Sequence, residues 1–555
     1  MSKNINTNRE NKRRPISSLI SFVLLLATIA SVLLFSVGCK KNNNKTPEFD
    51  YMTADLSQYI EFTTPDYKNF KVEIDIAEPR EIDVEVAILN MLCADKDKTP
   101  LYGGGDASKI AEISAGDVVK IWYRGYLIGD DGKEIAVPGM CNFGGASAYT
   151  LEIGSNSFIP GFELNLIGHK PSDYSKFEKI TSGTLDESKI AYVTYTKTTN
   201  DDSSTKVTES NVRLDLSEDL DAIYGLGFKA KILNLKFGDK VEFVGAVGDK
   251  KYNYKDVTLN FFTECETNPI VIDAYFPYDY QKEDLRNEDA KFEVYVEKLE
   301  AYTAPEFTDT YLKEKIEDGE INVTLEELNA CKGDSLTDKY RDFAMKTMME
   351  IYKEEYDALV ESEAWLYFDE ISKAKQYPTD KVQEIYDDYI REMEYQFSTS
   401  GGQIYNQALG QYKTYTSFDA YATVYVNAKT GENWKDVVYA QAQSYIKERM
   451  TMFYILKAEG LVPSDADFKK EYDKVRQEYL DEYVAQYLQY IGKSKDDYTE
   501  QEYQQLVEDC KKDLYANFDE EYFTIRTYYT ILAKTIITWP EVSTLDDRRS
   551  YPQDK

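Results

Sequence analysis

The chain has 555 residues, with 99 Asp and Glu against 65 Lys and Arg, and a formal net charge of −34. So acidic a surface repels phosphate backbones and argues against a nucleic-acid partner. A single histidine, His169, and six scattered cysteines with no CxxC spacing argue against His-based hydrolysis, a zinc site or a disulfide framework.

The opening segment points to export. Arg9, Lys12, Arg13 and Arg14 precede an uncharged stretch over 19–37, which runs into Ser36-Val37-Gly38-Cys39. A basic region, an apolar region and a small residue before the cut make a secretory signal over 1–38. Cys39 after that site resembles a bacterial lipobox, whose Cys takes the lipid and becomes the new N-terminus. Lys40-Lys41-Asn42-Asn43-Asn44-Lys45 then begins a polar tether over 39–65. The alternative is an uncleaved anchor, because about 20 apolar residues span a bilayer. Both readings place the bulk of the chain outside the cytoplasm, tied to a membrane. Losing residues 1–38 removes five basic residues and one acid and leaves −38.

Residues 66–115 hold an extended stretch, Phe70-Lys71-Val72-Glu73-Ile74, and a short helix over 83–95. Gly103-Gly104-Gly105-Asp106 lacks the Gly-Lys-Ser/Thr ending of a phosphate loop and reads as a linker turn. Strands follow. VVKIWYRG at 118–125 leads to the hairpin signal Gly129-Asp130-Asp131-Gly132. YTLEIGSNSFIPGFELNLIG at 149–168 reads as a strand, a tight turn and a short helix with Phe158, Ile159 and Phe162 on one side. An internal repeat comes next: IAYVTYTK at 190–197 echoes 118–125 and sets Tyr195 opposite Tyr123. YGLGFKAKILNLKFGDKVEF from Tyr224 echoes FIPGFELNLIGHKPSDYSKF from Phe158, with Phe228 opposite Phe162, Gly227 opposite Gly161 and Gly225 opposite Ile159. Repeats of about 70 residues are whole small domains. A second copy over about 185–266 is either nested inside the first, which resumes at Pro269-Ile270-Val271-Ile272, or set in tandem as two partial copies. Phe276-Pro277-Tyr278-Asp279-Tyr280 precedes the last strand, Phe292-Glu293-Val294-Tyr295-Val296.

Beyond about residue 303 the period becomes helical. Val382, Ile385, Tyr386, Tyr389, Met393 and Phe397 recur at three and four after the start signal Pro378-Thr379-Asp380. Ser398-Thr399-Ser400-Gly401-Gly402 breaks that helix, and others follow over 433–460, 467–492 and 500–534. Among 47 tyrosines, Tyr352, Tyr356, Tyr386, Tyr389 and Tyr445 lie on these helices, where they either pack between helices or form a soft, wettable surface for unfolded chains.

The strand and turn motifs resemble the FKBP-type peptidyl-prolyl isomerase domain in the version carried by trigger factor. Thr303-Ala304-Pro305-Glu306-Phe307 and KAEGLVPSDADFKKEYDKV at 457–475 resemble its helical junctions. The likeness is specific over 115–178 and 269–310 and runs in order through 310–475. It implies an α+β chain: an FKBP-like antiparallel sheet domain with a short helix over 116–302, then a mostly helical chaperone domain over 303–555. The ribosome-docking domain that opens a cytosolic trigger factor has no counterpart, so no ribosome partner is implied.

Turning an X–Pro bond means twisting a partial double bond over a barrier of about 18–20 kcal/mol. Unaided, that takes tens to hundreds of seconds. No bond is broken, so no cofactor or metal is called for; a dry aromatic pocket that fits the twisted amide is enough. Lowering the barrier by about 5 kcal/mol gives several thousandfold in rate. Carried over from the resemblance, Tyr123 lines the wall, Phe292 closes the far side, Phe162 forms the floor, and Phe158 and Ile159 begin the helix. The Ile159 N–H binds the substrate carbonyl, and Tyr280 hydrogen-bonds the peptide. The aromatic after the hairpin is Phe143, reached by a loop over 137–142, or alternatively Ile135; Phe143 is followed by Gly144 where the family has an acid.

The expectation is a lipid-anchored foldase acting on newly exported, proline-containing, unfolded polypeptides. The rivals are a catalytically inactive FKBP-like holdase and a solute-binding or adhesive surface lipoprotein. The segregated order, strands and then helices, argues against the last.

Overall fold

The computed structural model describes residues 49–97, 112–128, 134–143, 147–171, 179–199, 202–216, 219–247, 250–263, 269–406 and 411–548. The signal segment with Cys39, the start of the tether, Gly103-Gly104-Gly105-Asp106, the hairpin signal at 129–132 and Cys265 lie outside the described residues. Among the described residues no helix is long and apolar enough to cross a membrane. Helix and sheet are both present, in two compact units: Glu73–Leu359 with Val542–Lys555, and Met1–Val72 with Val360–Glu541.

The first of these units holds two sheets. Strands β1 (Val118–Ile128), β2 (Glu134–Cys141) and β3 (Tyr149–Glu152) come first. Strands β4 (Ile190–Thr199), β5 (Asp202–Asp215), β6 (Val241–Val247) and β7 (Lys250–Thr263) follow, and β8 (Ile270–Tyr275) and β9 (Asp289–Glu300) end the series. One sheet runs β8-β9-β1-β2, with β3 also on β1; the other runs β5-β4-β7-β6. All of these neighbours are antiparallel. The chain thus leaves the first sheet after β3, builds the whole second sheet, and returns through β8 and β9.

Alternation decides which side chains meet. On β1, Val119, Ile121 and Tyr123 face a core with Phe162, Val294, Phe292 and Ile272. The reverse face is buried as well: Trp122, Phe143 and Tyr295 pack on Tyr192 and Phe261 of the second sheet. Buried among these polar-and-apolar neighbours, Arg124 pairs across the β1–β9 ladder with Glu293. The stretch over 137–142, expected as a loop, is largely strand, paired to β1 across a register shift between Arg124 and Tyr126.

Helix α1 (Glu81–Ala94) is apolar on two sides, and both are used. Leu89 enters the first sheet's core, while Val84, Ile88 and Leu92 meet Phe307, Tyr311 and Tyr340. Two short helices, α2 (Leu220–Tyr224) and α3 (Phe228–Leu233), cover the second sheet.

The other unit is helical. After the end of α4 (Leu336–Ile371) come α5 (Thr379–Thr399), α6 (Trp434–Ala458), α7 (Asp465–Tyr490), α8 (Glu500–Asn517) and α9 (Glu520–Ile536). Met393 of α5 packs with Trp434 and Val438 of α6. Val475, Val484, Leu514 and Phe523 join α7, α8 and α9 in a second core. The single helix expected over 500–534 is two, because Asp519 caps a new start by accepting the Tyr522 N–H at 2.9 Å.

Candidate active site

The site begins with the backbone around Tyr123. Asn142 accepts the Tyr123 N–H at 2.6 Å, and its own N–H donates to the Tyr123 carbonyl at 3.0 Å. This clamp sets the Tyr123 ring over the first sheet. Two residues on, Gly125 lies opposite Phe292 in the β1–β9 register. A Cβ at Gly125 would run into the Phe292 ring and the end of Met140, so the missing side chain makes room for both.

The turn after β3 delivers the next residues. Gly161 has φ +91°, and a Cβ there would sit 3.1 Å from the Asp273 carbonyl and 3.2 Å from the Ala274 Cα. Only glycine allows both the left-handed backbone and that close seat on β8. The Pro160 carbonyl accepts the Tyr275 N–H at 3.1 Å and fastens the turn to the same strand.

Six of the seven expected side chains come together. Phe158 stacks on Phe162 at 4.1 Å, and Phe162 meets Phe292 edge-on at 4.9 Å. Tyr123 stands edge-on to Phe158 at 5.2 Å and to Phe162 at 6.0 Å. Ile159 and Tyr280 pack on the same cluster, half-buried. Burial pushes the Tyr123 hydroxyl pKa up, with Cys141, Tyr149 and Tyr280 adding to it, so the phenol stays neutral and able to donate. Among the described residues the Ile159 N–H has no acceptor.

Phe143 is the exception. It is fully buried on the reverse face of the sheet, against Tyr295 at 5.6 Å, and not beside Tyr123. Its place after the Asn142 clamp turns it to the side where Trp122 points. Phe162 and Phe292 are also buried, at 0% and 2% exposure. A peptide laid on this face therefore touches Tyr123, Phe158, Ile159 and Tyr280, with Tyr149 (43% exposed) at the rim. A prolyl ring reaches Phe162 only when Phe158 swings aside.

Glu163 escaped the sequence reading. Its carboxylate, 5% exposed, accepts N–H groups from Gly154 at 2.7 Å, Ser157 at 2.8 Å, and Asn156 and Phe158 at 3.2 Å each. The signal available was an acid directly after FIPGF, on a segment otherwise apolar.

Two further features involve α4. An open groove of about 860 Å³ is lined by Met345, Met349, Tyr352 and Tyr356 of α4 with Glu78. Tyr278 Oη, in the loop that carries Tyr280, donates to Glu355 of α4 at 2.9 Å. Of the other tyrosines noted on helices, Tyr386 and Tyr389 pack in the α5–α6 core and Tyr445 accepts from Arg449. Among the described residues no three His, Cys, Asp or Glu side chains are placed to hold a metal ion.

Part of this chain is similar to trigger factors. It is 35% identical over 113 residues to the trigger factor of Shouchella clausii, covering 20% of this chain and 22% of that one. It is 36% identical over 121 residues to that of Macrococcus caseolyticus, covering 22% and 25%. The likeness to the Levilactobacillus brevis protein is 48% over 58 residues, 10% and 11% of the two chains. The matches thus span about a quarter or less of the curated relatives' length. No protein-family model matches. A solved trigger factor chaperone, described for promiscuous substrate recognition in folding and assembly, aligns over 65% of this chain and 64% of its own. At 14% identity and a TM-score of 0.21 that alignment carries no argument.

Proposed function

We propose that this protein is a peptidyl-prolyl cis-trans isomerase and chaperone of the FKBP and trigger factor type, anchored by a lipid on Cys39 at the outer face of the cell membrane. The observation that carries the isomerase reading is the gathering of Tyr123, Phe158, Ile159, Phe162, Tyr280 and Phe292 on one sheet face. Supporting it is the partial likeness to trigger factors. A prolyl ring laid against Tyr123 and Phe158 leaves water, and the uncharged surroundings favour the twisted amide, which has lost its charge separation. The Ile159 N–H and the Tyr123 hydroxyl are the donors within reach of the substrate's carbonyls. Its clients are newly exported polypeptides, with the α4 groove and the helical unit holding them.

Exchange NMR on a Phe-Pro peptide tests the enzyme: faster cis-trans exchange with the protein, absent in Phe158→Ala, is expected, and unchanged exchange would refute it. Lipid labelling tests the anchor, since label should enter the wild type and not Cys39→Ser. A second reading, an inactive holdase, is favoured by one observation: Phe158 lies flat on Phe162 and fills the place of the prolyl ring.

A further inference from the structure

The second sheet repeats the site's frame. Tyr195 stands edge-on to Phe228 at 6.4 Å, as Tyr123 does to Phe162 at 6.0 Å. Tyr224 stacks on Phe228 at 4.5 Å, as Phe158 does on Phe162 at 4.1 Å. Tyr254 lies opposite Lys197, two residues past Tyr195, just as Phe292 lies opposite Gly125, two past Tyr123. Gly227 matches Gly161 in its left-handed backbone, with φ +87° against +91°.

The two frames part at the turn. Where the first has Glu163, the second has Lys229, whose N–H goes to Asp221 at 2.7 Å. The amide equivalent to Ile159 belongs to Gly225, and it donates to the Asp221 carbonyl at 3.0 Å. Tyr254 Oη donates to the Tyr224 carbonyl at 2.9 Å, and Tyr195 Oη to Glu209 at 2.5 Å. The counterparts of the Ile159 N–H and the Tyr123 hydroxyl are thus both already engaged in the second frame. In the first, Glu163 draws the N–H groups of residues 154 and 156–158 inward, and the series stops one residue short of Ile159.

We propose that only the first sheet turns prolyl bonds, and that Glu163 is the positioning residue that sets it apart, by fixing the turn so that the Ile159 N–H stays open to substrate. The inference rests on the isomerase reading above. A buried carboxylate gathering four amides holds the turn in one geometry before substrate arrives, and catalysis depends on such preorganisation. A glutamine would keep one acceptor and turn an NH₂ toward donors.

The test uses the full-length protein in detergent, with Glu163→Gln, the core control Leu299→Ala and the second-frame variant Tyr195→Phe. Prolyl exchange in a Phe-Pro peptide and amide hydrogen exchange are measured on each. Glu163→Gln should lose about 10- to 100-fold in kcat at little changed KM. Its amides at 154 and 156–158 should exchange at least about tenfold faster while those of β1 and β9 hold. Leu299→Ala and Tyr195→Phe should keep their activity. Equal loss in Leu299→Ala would reduce Glu163 to a stability role, and loss in Tyr195→Phe would place catalysis in the second frame too. Unchanged kcat in Glu163→Gln overturns the positioning role, and so does unchanged amide exchange even with catalysis lost. No catalysis by the wild type instead overturns the isomerase reading and the assignment with it.

Discussion

Phe158 and Phe162 are neighbours in the turn and stack on each other, yet their exposure gives them different work. Phe162 is enclosed by Phe158, Tyr123 and Phe292, so Phe162→Ala opens a cavity and should destabilise by about 3–5 kcal/mol in urea unfolding. Phe158 is half-buried, so Phe158→Ala should cost roughly half as much in stability while removing prolyl exchange. Gly125→Ala is the converse case: its Cβ meets Phe292 and Met140, and overpacking of about 1–3 kcal/mol is expected in the same assay. That Phe158, Ile159 and Phe162 come together was legible from the spacing of FIPGF. The place of Phe143 was not legible, because alternation is lost where β2 pairs with β1 across a register shift, and neither the shift nor the Asn142 clamp leaves a mark on composition. Glu163 was missed because its partners are backbone amides, which every sequence has.

Elements with a strong period were readable and their ends less so. The helix expected over 83–95 is Glu81–Ala94, and that expected from residue 433 is Trp434–Ala458 with Asn433 as its cap. The break between α8 and α9 went unread because Phe518 keeps the apolar period while Asp519 restarts the helix. Asp519→Ala should therefore lower stability by about 1 kcal/mol, read by thermal unfolding. In β1 the alternation predicts one buried face, but Trp122 and Tyr126 of the other face are buried too, and Trp122 lies against Tyr192 and Phe261 of the second sheet. A covering partner more than 60 residues away in sequence is outside what local pattern can report.

At the scale of the molecule, charge dominates. Glu448 and Glu361 have their carboxyl pKa values raised by burial, with Tyr529 and Trp365 donating to them in part compensation; Asp117 and Glu355 are raised by burial as well. An acid with a raised folded pKa holds its proton longer folded than unfolded, so stability falls as pH rises through that window above the ordinary carboxylate range. Glu459 runs the other way: Lys68 and Tyr67 hold its pKa down, so its contribution is lost as pH falls below that range. Self-repulsion at −34 adds to the loss on the alkaline side. Thermal midpoints should thus peak near pH ~5 and decline toward pH ~8. Catalysis should not follow, since turning an amide moves no proton and burial keeps Tyr123 neutral; its rate should stay flat between pH ~6 and ~9.

The central claim is that the aromatic face of the first sheet catalyses prolyl isomerisation in folding chains. The direct measurement is the refolding rate of a model protein limited by a trans-to-cis prolyl step, with residues 46–555 present as wild type or Phe158→Ala. The account predicts acceleration by the wild type and none by the variant, with both suppressing aggregation of a client whose folding needs no proline turn. Refolding left at its uncatalysed rate, with that aggregation still suppressed, would contradict the isomerase and leave a holdase.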